Sequence, residues 1–280
     1  MPSLNLFDET LDINSTANYH LILQISQYEI SYSILDTLRN KFVLLRSFEP
    51  ELNRLFDTAR IEEVILGEDY LSRQYKKIFI ITPSQKSTLI PAPLYDGAIK
   101  AEYFTFNQIL DDGEIILENR VPEPDVYIVY SFPARVTEFL NAHFPGIKLH
   151  HHSIPLLRQM TEFRLKGPGH YIHVHIEKNF FNLIISDRDT LRFCNCFIYS
   201  SIPDILYFVL NTFKKLGIQQ EETIYISGSV ARYDELHSGL IAYVRNLRYA
   251  EPPQKFTFSY VFDEEALHRY LNLFIAADCE

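Results

Sequence analysis

One pattern occurs twice in this chain, and it constrains the fold more than any other feature of the sequence. Residues 20–36 read as a strand, a short polar turn and a second strand, because β-branched and aromatic residues flank the turn. Residues 171–187 repeat this arrangement and superpose on the first copy without a gap, with Ile25 over Ile176. A third strand follows each hairpin. The two halves therefore share an architecture, although few residues are identical.

A helix and a buried strand follow each three-strand meander. In the second half they are residues 202–217 and 223–228; in the first half we expect a helix from residue 50 to about 60 and a strand at 77–82. This order implies a mixed α/β sheet in each half. The Lys-Gly-Pro-Gly break at residues 166–169 divides the chain into predicted lobes of residues 1–165 and 166–280.

Composition excludes several classes of protein. The net charge of −10 gives no general attraction to a phosphate backbone, so nucleic acid is not an expected partner. Three cysteines form neither a disulfide framework nor a zinc set, which favours a reducing compartment. No uncharged apolar stretch reaches the roughly 18 residues of a membrane span, and the first 15 residues contain acidic side chains and no apolar run. We expect a soluble, cytoplasmic protein with no membrane insertion.

The hairpins, a later helix and a strand that runs into Tyr-Ile-Ser-Gly-Ser-Val at residues 225–230 resemble the actin-like ATPase superfamily, which has a ribonuclease-H-like fold. The type IV pilus assembly and cell-division branch is the most similar, and the full layout resembles an uncharacterised bacterial family of actin-like fold. The resemblance implies two similar lobes, each with a mixed sheet and flanking helices. It also implies that a last helix, read here at residues 263–277 with Asp263 as its cap, returns to the first lobe.

In that superfamily both hairpin turns read Asp-x-Gly, where the Asp holds a hydrated magnesium ion and the Gly lets the backbone approach phosphate. The matching positions here are Gln24, Ser26 and Gln27 in the first turn, and His175, Glu177 and Lys178 in the second. Both metal-anchoring carboxylates and both glycines are therefore absent. A side chain in place of Gly blocks the backbone, and the Glu177 carboxylate would repel a polyphosphate.

A third superfamily motif, Thr-Gly-Gly-Gly, lines the adenine and ribose, and it falls on Ser227, Gly228 and Ser229. One glycine of the three is kept. The competing and favoured interpretation is an ordinary strand-to-helix turn, in which Gly228 supplies a positive φ and Ser229 caps the next helix.

Two other groups of residues have an ordinary structural interpretation. The histidines could bind zinc, copper or nickel, but exposed or edge-strand positions are favoured because no Cys or carboxylate stands at ligand spacing; they are His150, His151, His152, His170, His173 and His175. Four aromatic residues are expected to pack an insertion onto the core rather than to form a ligand box: Tyr95, Tyr103, Phe104 and Phe106. Neither the Gly-x-Ser-x-Gly elbow nor the phosphate-binding P-loop motif is present.

Three functional hypotheses remain. The favoured one is a non-catalytic scaffold or binding module with a degenerate nucleotide site, no cofactor, and a protein partner of unknown identity. The second is an ATP-binding protein, ATPase or kinase with displaced catalytic groups, which would use ATP and magnesium with His175 and Glu177 as its base and acid. The third is a magnesium-dependent nuclease, which needs carboxylates on the first strands, whereas Gln24 stands at the essential position.

Overall fold

A computed structural model describes residues 1–51, 54–164, 170–188 and 190–279. Its strands within these residues are β1 (Leu4–Phe7), β2 (Tyr19–Ile25), β3 (Ile30–Asp36), β4 (Lys41–Phe48), β5 (Lys77–Thr82), β6 (Ser87–Pro91), β7 (Glu114–Val121), β8 (Val126–Pro133), β9 (Leu149–His151), β10 (Tyr171–Ile176), β11 (Phe180–Ser186), β12 (Leu191–Ile198), β13 (Thr223–Gly228), β14 (Asn246–Tyr249) and β15 (Thr257–Phe258). Its α-helices within the same residues are α1 (Thr58–Gly67), α2 (Lys100–Asn107), α3 (Ala134–His143), α4 (Ser153–Arg164), α5 (Ile202–Leu216), α6 (Glu235–Ile241), α7 (Glu264–Arg269) and α8 (Leu271–Ala276).

Two sheets repeat one topology. The first has the order β1-β4-β3-β2-β5-β9, with β15 also paired to β4, and the second has the order β12-β11-β10-β13-β14. In the first sheet β2, β3 and β4 form an antiparallel meander, and β5 and β9 extend it in parallel from β2. In the second sheet β10, β11 and β12 form the meander, and β13 and β14 extend it in parallel from β10. The predicted mixed α/β sheet in each half is confirmed.

A third, antiparallel sheet of order β6-β8-β7 is inserted between β5 and α3, and α2 packs against it. No separate sheet was predicted from the sequence in this region. The aromatic residues of the insertion pack as expected in part: the Tyr95 ring stacks on those of Tyr103 and Tyr127, and Phe104 is fully buried. The expectation was wrong for Phe106, which is 86% exposed.

Two helices differ from their predicted bounds. The first begins at Thr58 rather than at residue 50, because the Asp57 side chain accepts the Arg60 N–H at 2.8 Å and caps the helix there. The predicted C-terminal helix at residues 263–277 is two helices, α7 and α8, separated at Tyr270. α7 contacts β13 of the second sheet, and α8 contacts β2 and β3 of the first sheet as well as β13.

The helices α4 and α8 pack against each other between the two main sheets. Phe274 of α8 lies in a hydrophobic cluster with Ile22 and Phe42 of the first sheet, and Leu157 of α4 shares a cluster with Ile184 of the second sheet. Burying apolar side chains on both helices holds the two sheets in one arrangement. Residues 166–169 lie outside the described residues, so the division into lobes at residue 165 stays a prediction. None of the described helices has both the length and the apolar character that a membrane span requires.

Candidate functional site

The turns of the β2–β3 and β10–β11 hairpins lie beside each other between the two sheets. In the first turn the Ser26 hydroxyl accepts the backbone N–H groups of Tyr28 and Glu29 at 3.1 and 3.0 Å, and it donates to the Glu29 carbonyl. This hydroxyl therefore closes its own turn. The neighbouring Gln27 carbonyl accepts the Phe56 N–H at 2.8 Å, which ties the turn to the segment before α1.

The side chains of Gln24 and His175, one from each hairpin, both contact Glu177. The Gln24 Nε2 group donates to Glu177 Oε1 at 3.5 Å, and the His175 Nε2 group lies 3.3 Å from the same oxygen. The Gln24 carbonyl oxygen in turn accepts Asn272 Nδ2 at 3.4 Å. One glutamate thus links the first hairpin to the second, and α8 contributes a further contact.

Behind Glu177 a chain of hydrogen bonds runs into the second sheet. Ser227 Oγ lies 2.7 Å from His175 Nδ1 and 2.8 Å from His173 Nε2, and the Tyr171 hydroxyl lies 3.0 Å from His173 Nδ1. Each ring nitrogen of His173 and His175 thus has a hydrogen-bond partner.

Four of the six histidines are buried, so the expectation of exposed positions was wrong for them. His150 and His170 are partly exposed, and His150 and His151 lie on β9, an outer strand of the first sheet. His151, His152, His173 and His175 are at most 2% exposed. His152 Nε2 donates to Asn182 Oδ1 at 2.8 Å, and its Nδ1 accepts a backbone N–H at 3.3 Å. Burial lowers the pKa of His152 to about 4 and holds those of His151 and His173 well below the usual value. Within the described ranges no three His, Cys, Asp or Glu side chains are grouped so that they could hold a metal ion.

Lys178, the cation of the second turn, is paired with Glu49. Its Nζ lies 3.1 Å from Glu49 Oε1, and Arg269 contacts the same oxygen at 2.7 Å. These contacts join the end of β4, the second turn and α7. The nearby Glu29 carboxyl is buried and accepts the Ser47 hydroxyl at 2.7 Å, and burial raises its pKa.

Gly228 is required by the chain's own backbone. Its φ is +88°, and a Cβ at this position would lie 2.0 Å from the Ile176 carbonyl oxygen on the neighbouring strand β10. The Ser229 N–H donates to that oxygen at 2.7 Å. Ser229 does not cap the following helix, as one interpretation expected, because Asp234 caps α6 by accepting the His237 N–H at 2.9 Å.

The space around the two turns is divided into two parts. On one side Gln24, His175, Gly228 and Ser229 line a cavity of about 20 Å³, room for about one water molecule. On the other side a cleft of about 440 Å³ opens between Ser26 and Gln27 of the first turn and Lys178 of the second. Glu177 borders both spaces.

The residues that fill the smaller space were not identified from the sequence. Glu29, Arg269, Tyr270 and Asn272 all line it, and three of them belong to α7, α8 or the bend between these helices. The resemblance had already implied that the last helix returns to the first lobe. That expectation was the one signal that could have placed these residues near the hairpin turns.

The repeated sheets, the facing hairpins and the crossing helices define this protein as one with the actin-like ATPase fold. A Bacteroides thetaiotaomicron protein with this fold and unknown function is 22% identical, with a TM-score of 0.74 over 86% of this chain and 94% of that one. A PilM-PilN type IV pilus biogenesis complex contains a chain that is 13% identical, with a TM-score of 0.58 over 92% of this chain and 96% of that one. At these identities the likeness establishes the fold alone.

The chain belongs to the DUF3822 family, which is described as a protein of unknown function, and the match spans residues 8–247. No curated protein sequence matches at a significant level.

Proposed function

We propose that this protein is a non-catalytic binding module that keeps the actin-like architecture and has lost the nucleotide site. The observation that carries the proposal is the space of about 20 Å³ left between Gln24, His175 and Gly228. Ligand sites of this kind take on the order of 300 Å³ or more. Glu29, Arg269 and their neighbours line this small space, so a nucleotide would have to displace their side chains.

The residues present do not fit magnesium and a triphosphate. Magnesium prefers oxygen ligands in near-octahedral geometry. The two anchor positions instead carry the Gln24 amide, whose oxygen is already hydrogen-bonded, and the His175 imidazole. The Glu177 carboxylate at the second turn would repel a polyphosphate. Without charge neutralisation and positioning by the metal, little of phosphoryl-transfer catalysis remains.

One observation favours the second candidate, an ATP-binding protein or ATPase with displaced groups. The cleft of about 440 Å³ is large enough for a small ligand and has Lys86 and Lys178 on its walls. Both cations are already paired, however: Lys86 with Asp111 and Glu114, and Lys178 with Glu49. An anion in this cleft would have to compete with those carboxylates, which is why this candidate ranks second.

A protein partner forms part of the proposal. In the PilM-PilN complex, a chain of similar fold is bound to another protein. We carry over only the idea that this fold suits protein binding. The net charge of −10 argues against a nucleic-acid partner. The three cysteines are free thiols, which suits a reducing compartment such as the cytoplasm.

We expect the purified protein to hydrolyse ATP no faster than a protein-free blank in the presence of magnesium. We also expect millimolar ATP or ADP to leave its thermal unfolding midpoint unchanged, because a ligand raises stability only if it binds the folded state. A nucleotide present at a hundred times its Kd would add about 2.7 kcal/mol, which is easily detected. Released phosphate and a fluorescence-monitored thermal scan measure the two quantities.

The matched control variant is Glu177→Gln, which keeps the shape of the side chain and removes its charge. If wild-type protein hydrolyses ATP and Glu177→Gln does not, Glu177 is catalytic and the second candidate replaces the first. Nucleotide stabilisation of the wild type without hydrolysis would also contradict the loss of the site.

A further inference from the structure

Two sheet edges face each other across a groove. The proposed function, as described so far, gives this groove no role. β6 is the outer strand of the inserted sheet, and β12 is the outer strand of the second main sheet. A space of about 360 Å³ lies between them, with residues 87–89 on one wall and residues 194–196 on the other. Edge strands that carry unpaired backbone groups are templates for a further strand.

The register of β6 shows which of its backbone groups point into the groove. β6 is antiparallel to β8, and the Ser131 N–H donates to the Lys86 carbonyl while the Ala92 N–H donates to the Asp125 carbonyl. Bonded pairs alternate along an antiparallel ladder, so the even-numbered residues of β6 bond β8. The backbone groups of Ser87 and Leu89 therefore point away from β8, where the Ser87 carbonyl already accepts Gln108 Nε2 at 3.3 Å. Pro91, which has no N–H, occupies the same outward-facing series.

The same reasoning applies to β12. The Tyr199 N–H donates to the Asn179 carbonyl, which places the odd-numbered residues of this antiparallel ladder in the bonded pairs with β11. The N–H and C=O groups of Cys194 and Cys196 therefore point away from β11. These two residues form the β12 wall of the groove together with Asn195. Backbone donors and acceptors thus line both walls.

The side chains that line the groove are hydroxyls, amides, thiols and one leucine, and none is charged. Thr88 Oγ1 is buried there without a hydrogen-bond partner, which leaves a polar group for an incoming chain. Burial raises the pKa of Cys194 to about 12 and that of Cys196 well above its usual value, so both thiols are neutral at pH 7. An incoming charged side chain would lose its hydration without gaining an ionic partner.

We propose that this groove binds an extended segment of a partner protein with small or uncharged polar side chains, which adds as a strand between β6 and β12. The inference rests on the proposed role as a binding module and names its surface. An inserted strand can bond the outward groups of Leu89 on one side and those of Cys194 and Cys196 on the other. Main-chain hydrogen bonds would supply affinity, and the uncharged walls would select the side chains.

The test uses a displayed library of random linear octapeptides selected on the full-length protein, followed by fluorescence anisotropy with individual synthetic peptides. The key variant is Leu89→Pro, which removes the outward N–H at an edge position that tolerates proline, and Leu89→Ala is its matched control. We expect peptides poor in charged residues. We expect Leu89→Pro to bind them about tenfold more weakly than Leu89→Ala, which keeps the N–H, as for one lost hydrogen bond.

A second measurement leaves the protein unchanged and guards against misfolding of Leu89→Pro. Methylation of single backbone nitrogens in the peptide should weaken binding at alternate positions for each edge that the peptide bonds. The inference is overturned if no octapeptide is selected, if Leu89→Pro and methylated peptides bind as well as their controls, or if sedimentation shows that a second copy of this chain fills the groove. These outcomes are separate from nucleotide binding or hydrolysis, which would overturn the proposed function instead.

Discussion

Replacing Gly228 with alanine should destabilise the protein by about 3 to 5 kcal/mol, a large part of the 5 to 15 kcal/mol typical of a folded domain. The residue has a φ of +88°, which costs a residue with a side chain about 1 to 3 kcal/mol. In addition, the new Cβ would lie 2.0 Å from the Ile176 carbonyl oxygen, a backbone atom that cannot rotate away. Equilibrium urea unfolding of wild type and variant measures the difference.

Gly146→Ala is the matched control, because Gly146 also has a positive φ, +78°, but has no atom within 4 Å of the added Cβ. It should cost only about 1 kcal/mol. If Gly228→Ala proves no more destabilising than Gly146→Ala, the close approach of the two strands is not as described. If Gly228→Ala is strongly destabilising, a Gly228 variant that fails to bind nucleotide could simply be unfolded. Such a variant then gives no information on whether Gly228 contacts a base.

Mild acid should unfold the protein, because several histidines are buried in their neutral form. Burial lowers the pKa values of His150 and His152 to about 4, and those of His151 and His173 lie well below the usual value. As the pH falls below about 6.5, the unfolded chain takes up protons that the folded chain does not. The stabilisation is complete above that pH and is lost as the pH falls through about 4.

The expected loss of folding stability in acid is large. For His152 alone, the interval from about pH 6.5 to 4 corresponds to on the order of 3 kcal/mol. The pKa of His150 is lowered to a similar value, and those of His151 and His173 are lowered in the same direction, so we expect cooperative unfolding before the pH reaches about 4. Glu29 acts in the opposite direction, since burial raises its pKa, but it is a single group. Urea unfolding at a series of pH values measures the slope.

The variant His150→Phe tests whether neutral histidines cause the loss of stability in acid. The His150 ring stacks on Phe79 with ring centroids 4.0 Å apart and an angle of 10° between the ring planes, so a phenyl ring keeps the packing and removes one titrating group. Its stability at pH 7.5 should match that of the wild type. Between pH 6 and 5 its loss of stability should be smaller by about 1.4 kcal/mol per pH unit. An unchanged slope would show that His150 is not neutral and buried in the folded state.

The sequence predicted the hairpins and the mixed sheets because their signals are local. β2, β3, β10 and β11 are runs of β-branched and aromatic residues that flank short polar turns, and such runs specify a hairpin without distant contacts. The bounds of α1 could not be read in this way. They depend on Asp57 as a cap, and many other acidic residues in the sequence could equally be read as caps.

For the site residues too, local sequence predicted some features, whereas others depend on distant contacts. Comparison with the motif alone predicted that Gln24 and His175 replace carboxylates. It could not show that both contact Glu177, or that Arg269 and Asn272 from the end of the chain close the space beside them. These contacts join residues separated by as many as 248 positions in the sequence, as between Gln24 and Asn272, and no periodicity records such a pairing.

By itself, then, the sequence determined the repeated α/β architecture, because the signals for it lie in neighbouring residues. The loss of the superfamily's metal and phosphate ligands stays a prediction. Tertiary structure alone decided that four of the six histidines are buried, that β6, β7 and β8 form a separate sheet, and that β6 and β12 face each other across a groove. The physical reason is that burial and unpaired sheet edges are properties of packed surfaces. They arise when distant segments exclude water from one another or leave backbone groups without a neighbour.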